Sequence, residues 1–139
     1  MQVNLDSNAK EVAKRVGKKG KELSASVKKA LSITAQQGIN IIEARTKKGI
    51  GFKGAFKSYS DGYAQFRSES GRGTKPDLSF TGQMLGSITS RATSKKAEIF
   101  FTRAAEAEKA AKNNKSRPFF GFSRAEQKQL GGIFFRALK

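Results

Sequence analysis

At 139 residues the chain has the size of one domain, and its formal charge of +17, from 28 Lys and Arg against 11 Asp and Glu, dominates its composition. It has no cysteine and no histidine, which excludes disulfides, thiol nucleophiles, zinc sites of the usual kind and the commonest general base. The scattered acids form no close carboxylate pair and no apolar run approaches the roughly 18 residues of a membrane span, so we expect neither an enzyme, nor a cofactor, nor a membrane protein.

An apolar fraction of 37% is low for this length and suits one modest core with protruding arms. The N-terminal stretch MQVNLDSNAKEV lacks the basic-then-apolar order of a secretory signal, so the expected compartment is the cytoplasm. The charge favours an anionic partner, whether nucleic acid, an anionic membrane surface or an acidic protein ring. It is spread along the chain, with one dense group from Lys10 to Lys29 and another from Arg91 to Lys139. Lysines spread at helical spacing also read as a solvated face.

In chain order, the sequence divides a single domain, 1–139, into four regions. Residues 8–48 form a long helical region. Asn8 and Glu11 are a plausible cap pair ahead of Val12, Ala13 and Val16, and the run GKKGK from Gly17 to Lys21 interrupts or thins the helix. From Glu22 the 3.6-residue period is clean: Leu23, Val27, Ala30, Leu31, Thr34, Gly38, Ile41, Ile42 and Arg45 form one stripe to be buried. Gly38 on that stripe predicts the close approach of another backbone, and Lys47-Lys48-Gly49 predicts the stop.

Residues 49–80 form an aromatic, turn-rich segment and a basic loop. Phe52, Phe56, Tyr59, Tyr63 and Phe66 recur at spacings of three or four, which places the rings on one face. Ser68 to Asp77, SESGRGTKPD, reads as a loop. Its GRGTK lacks the preceding strand, the glycine spacing and the following helix of a phosphate cradle. Asp77 to Leu85 reads as an extended approach, a Thr81 cap and a short apolar helix.

Residues 81–122 hold that short helix, a hairpin of Ser87–Thr93 and Ala97–Thr102, and an extended segment. The run Ile99-Phe100-Phe101 asks for a central or covered strand. Ala104 to Lys112 should be helical, and Asn113 to Ser116 should end it. Pro118 biases Arg117 away from helix, so Arg117 to Phe122 is expected extended, with Phe119 and Phe120 pointing to opposite sides. In residues 123–139, Ser123 and Glu126 make a capping box for a C-terminal helix with Leu130, Ile133, Phe134, Ala137 and Leu138 on its apolar face. The expected fold is therefore α+β: a long N-terminal helix packed on a small antiparallel β-sheet, a short C-terminal helix, and extended loops or arms.

Three ordered blocks carry a resemblance. They are Phe56, Tyr59, Ser60, Tyr63 and Ala64; then Asp77, Leu78, Thr81, Gly82, Met84, Leu85, Ser87 and Ile88; then Arg117, Pro118, Phe119, Phe120, Gly121 and Ser123. Spanning roughly the C-terminal two thirds of the chain, they resemble the virion morphogenesis, or tail completion, proteins of long-tailed bacteriophages and the related head–tail neck proteins. Many members carry a Pro-Phe pair before the Tyr-Ser block, where this chain has Ala55-Phe56. The resemblance implies the same fold and an oligomeric ring at the head–tail junction of the virion, assembled in the host cytoplasm. It implies as partners copies of the chain itself and other neck and tail proteins (terminator, connector or tail tube), with non-specific contact to DNA in the lumen.

On this reading the late aromatic cluster, Arg117, Phe119, Phe120, Phe122, Phe134 and Phe135, supplies the interface residues, although the phenylalanines equally suit a core. Lys18, Lys19, Lys21, Arg72 and Lys75 are the expected contacts to DNA or to an acidic partner. The rival reading is a non-sequence-specific nucleic-acid-binding protein. Against it, the basic residues are not closely interleaved with aromatics along the chain, and no zinc-finger, helix-turn-helix or RNA-binding signature can be placed.

Overall fold

The computed structural model describes residues 2–6, 20–79 and 81–138. The Asn8–Glu11 cap pair, the apolar positions 12, 13 and 16, Lys18, Lys19 and Phe80 lie outside the described residues. In order, the elements are β1 (Gln2–Asp6), α1 (Gly20–Lys47), β2 (Ile50–Gly51), β3 (Gly54–Ala55), α2 (Asp61–Glu69), α3 (Gln83–Gly86), β4 (Ile88–Ala92), β5 (Lys96–Phe101), α4 (Ala104–Ser116) and α5 (Arg124–Ala137). The fold is α+β, with a long N-terminal helix, two small antiparallel sheets and a C-terminal helix. The chain divides into two compact units: Ile41–Ile88 with Phe101–Gly121, and Gln2–Asn40 with Thr89–Phe100 and Phe122–Lys139.

In the second unit, α1 buries Val27, Ala30, Leu31 and Thr34 of the expected stripe together with Ala35 and Ile39, which it did not include, while Leu23 is half-buried. The Thr34 hydroxyl is satisfied within the helix, donating to the Ala30 carbonyl at 2.8 Å. Gly38 does mark a close approach, but of side chains and not of backbone. A Cβ there would stand 2.9 Å from the Phe122 ring and 3.1 Å from Ile99 Cδ1. At Gly38 the helix thus meets the Phe122 ring and an Ile99 methyl of β5, which need the space a side chain would take.

The three-stranded sheet has the order β1-β5-β4, so β5 is central, as its apolar run requires. β1 pairs with β5 antiparallel, from Gln2 opposite Phe100 to Asp6 opposite Lys96. Alternation sorts the faces of β5: Ala97 and Ile99 are buried on one, Glu98 and Phe100 lie on the other. Glu98 is flanked by Lys96 Nζ at 2.9 Å and Arg91 Nε at 2.6 Å, while the Arg91 guanidinium stands over Phe100. These hydrogen bonds, Lys96 first and Arg91 second, hold the Glu98 carboxyl below its ordinary range. The β4–β5 turn is tied by Thr93, whose hydroxyl accepts from the Lys95 and Lys96 amides at 3.2 Å. At α5 the capping box is complete, with Glu126 N–H donating to Ser123 Oγ and Ser123 N–H to Glu126 Oε1.

The first unit has a core of Ile42, Phe56, Leu78, Met84, Leu85, Phe101, Ala110, Phe119 and Phe120. α1 stops at Lys47, and Gly49, at φ 78°, turns the chain into the β2–β3 ribbon. That ribbon breaks the helical phase of the aromatic series, so its rings do not share one face. Phe56 is buried, while Tyr59, Tyr63 and Phe66 follow a fresh start at Ser60, whose hydroxyl accepts from the Tyr63 amide. Helix α2 runs on through Ser68 to Glu69, and α4 through Asn113 to Ser116, each longer than expected.

The segment 117–121 corrects a second expectation. Phe119 is fully buried and Phe120 is 4% exposed, so neither ring faces a second surface. The segment is not a strand. Asn114 Oδ1 accepts from both the Phe119 and Phe120 amides, at 3.0 and 2.9 Å, and Arg45 donates to the Phe119 and Gly121 carbonyls. With its polar groups taken up by these two side chains, the backbone bends and delivers consecutive rings to one core. Phe120 packs on Phe101 with ring centroids 4.9 Å apart.

Candidate functional site: a groove between α2 and α4

The loop after α2 was expected as an extended basic loop or arm. It is instead wrapped around Arg67, which is 2% exposed. The Arg67 Nε donates to the Gly73 carbonyl at 2.7 Å, and its terminal nitrogens reach the Ser79 carbonyl and Asp77 Oδ1 at 3.3 Å. The guanidinium also stands over Tyr59, 5.1 Å from the ring centroid. One planar fork with five donors thereby fixes ten residues of loop.

This anchoring shapes one wall of a groove of about 780 Å³ in the first unit. Tyr59, Tyr63 and Phe66 come from the start and outer face of α2, with Tyr59 and Tyr63 meeting edge to face at 4.8 Å. Leu78, Thr81, Gly82 and Met84 come from the loop and α3, and Glu106, Lys109 and Asn113 from one face of α4. Arg117 closes the end: it stacks 4.7 Å from the Tyr59 centroid and donates to the Lys57 and Ser58 carbonyls at 2.9 and 2.8 Å.

Two features of this groove carry strain or unmet bonding. Leu78 has φ 55°, the left-handed region that a leucine rarely occupies, and its amide donates to the Tyr59 hydroxyl at 3.1 Å. Burial raises the Tyr59 pKa, partly offset by that amide, so the phenol stays neutral and keeps its own proton to donate. Glu106 is 2% exposed. Lys109 Nζ meets its Oε1 at 3.2 Å, while its buried Oε2 has no hydrogen-bond donor among the described residues.

The expected interface set is split. Arg117 lies at the groove, Phe119 and Phe120 are core, and Phe122 is half-buried against Gly38. Phe134 and Phe135 touch edge to face on α5, and Phe135 is 70% exposed. Of the expected anion contacts, Arg72 is held by its own loop, donating to the Ser70 carbonyl at 3.1 Å. Lys75 is exposed in that loop, and Lys21 is exposed in the first turn of α1. Among the described residues no cluster of acids could hold a metal, and no helix is long and apolar enough to cross a membrane.

Glu106 was missed from the sequence. Its spacing to Ala110 and Asn113 puts it on the inward face of α4, and an acid at such a position is the signal that would have found it. Compared with protein-family models, curated proteins and solved structures, the chain matches none.

Proposed function

We propose that the chain is a structural protein of the phage neck, one subunit of an oligomeric ring in the virion that completes the tail or joins it to the filled head. The observation that supports this reading best is convergence. The three blocks that resemble the tail completion family are far apart in sequence, yet each contributes to the lining of the same groove. Tyr59, Ser60 and Tyr63 come from the first, Leu78, Thr81, Gly82 and Met84 from the second, and Arg117 from the third. A ring of identical subunits uses heterologous contacts, one patch meeting a different patch on the next copy. The exposed Phe135 on α5 belongs to one such patch, while the groove is open to an adjoining neck or tail protein.

The role is one of assembly without turnover, and its partners are other copies of the chain and the adjoining neck and tail proteins. The charge of +17 suits a wall facing DNA. Removing the gene from its phage is expected to give filled heads and finished tails that accumulate separately, with infectivity recovered when purified protein is added. Normal infectious particles, or a block at capsid assembly or DNA packaging, would overturn the proposal.

A further inference from the structure

We infer that the groove between α2 and α4 docks an acidic peptide segment of a partner protein, which places an apolar side chain against Tyr63 and Phe66 and its flanking carboxylates beside Lys57 and Arg117. Nothing in this docking requires the chain to come from a phage.

The charge of the lining sets the chemistry of the occupant's flanks. Lys109 is taken up by Glu106, meeting its Oε1 at 3.2 Å, and Glu106 is the one acid among the described lining residues. That leaves Lys57 and Arg117 as the cations of the groove, and the flanks of the occupant must be acidic to complement them.

Tyr63 and Phe66 settle what fills the middle. They stand next to each other on the exposed face of α2, ring centroids 6.2 Å apart, with Phe66 52% exposed. Exposed aromatics beside a groove floored by buried Leu78 and Met84 fit an apolar side chain brought by an extended segment. A nucleic acid strand would also find rings and cations here, but its phosphates would enter beside the buried carboxylate, so a peptide is the better occupant.

The test uses the full chain and a short fluorescein-labelled peptide with glutamates on both sides of a Phe-Ser pair. Binding is read by fluorescence anisotropy, and its place by backbone amide shifts. Saturable binding is expected, with shifts concentrated in residues 57–66, 78–84 and 106–117. Phe66→Ala and Lys57→Glu, both at exposed positions, should each weaken it about tenfold. Phe135→Ala should leave binding unchanged. The inference is overturned if the peptide does not saturate or shifts only residues elsewhere. It also fails if a lysine-flanked counterpart or a mixed-sequence single-stranded oligonucleotide takes these same residues more tightly.

Discussion

Phe119→Ala is expected to lower the unfolding free energy by about 3–5 kcal/mol, with Phe120→Ala close behind, the cost of emptying a buried aromatic site. Both rings are buried, Phe119 fully, and their centroids lie 6.0 Å apart, so each substitution leaves a void lined by the other ring. The surroundings are poorly placed to collapse into it. Asn114 and Arg45 hold the backbone of the segment by its amides and carbonyls. Urea titrations of the two variants measure the loss. Phe135→Ala serves as the contrast, since a side chain 70% exposed should change stability by no more than about 0.5 kcal/mol. A Phe120 variant as stable as the parent would restore the reading in which that ring faces a neighbour. Two variants that both unfold to similar degrees confine this segment to the core.

The contrast between these phenylalanines marks where sequence reasoning stopped. The α1 stripe, the β4–β5 hairpin and the Ser123–Glu126 capping box were legible because each is a local pattern, complete within a few turns or one tight connection. Gly38 announced a close approach, but nothing local said that Phe122 and Ile99 would make it. Phe119 and Phe120 could not be placed by alternation, because the Asn114 side chain, and not a strand partner, takes their amides. β1 was overlooked because its pairing partner, β5, lies at the far side of the chain. The groove was invisible for the same reason. Lys109 and Arg117 are distant in the sequence from Lys57, Tyr59, Tyr63 and Phe66, yet all of them line the same hollow. Charged residues are the hardest case: Arg67 and Glu106 look like solvated positions on amphipathic helices until the loop folds back over one and α3 packs beside the other.

Arg67→Ala is the substitution that tests this folding-back most directly, with an expected loss of about 3 kcal/mol. It removes donors from the Gly73 and Ser79 carbonyls and from Asp77, and each such charged hydrogen bond contributes roughly 1.5–3 kcal/mol before hydration returns part of it. Asp77 is 30% exposed and can recover water, which keeps the total well below the sum. The effect should be local before it is global. With the fork gone, residues 70–79 lose the side chain that gathers them, and trypsin should cut after Arg72 under conditions where the parent chain resists. Arg67→Lys should restore little. An ammonium keeps the charge but cannot span the Gly73 carbonyl, the Ser79 carbonyl and the Asp77 carboxylate from one planar group, nor stack as a guanidinium does over Tyr59. The groove should suffer too, because Leu78, held in its left-handed conformation between Asp77 and Ser79, lines it and hydrogen-bonds Tyr59. A lysine variant as protease-resistant as the parent would mean that charge alone organises the loop; an alanine variant equally resistant would mean that Arg67 does not organise it at all.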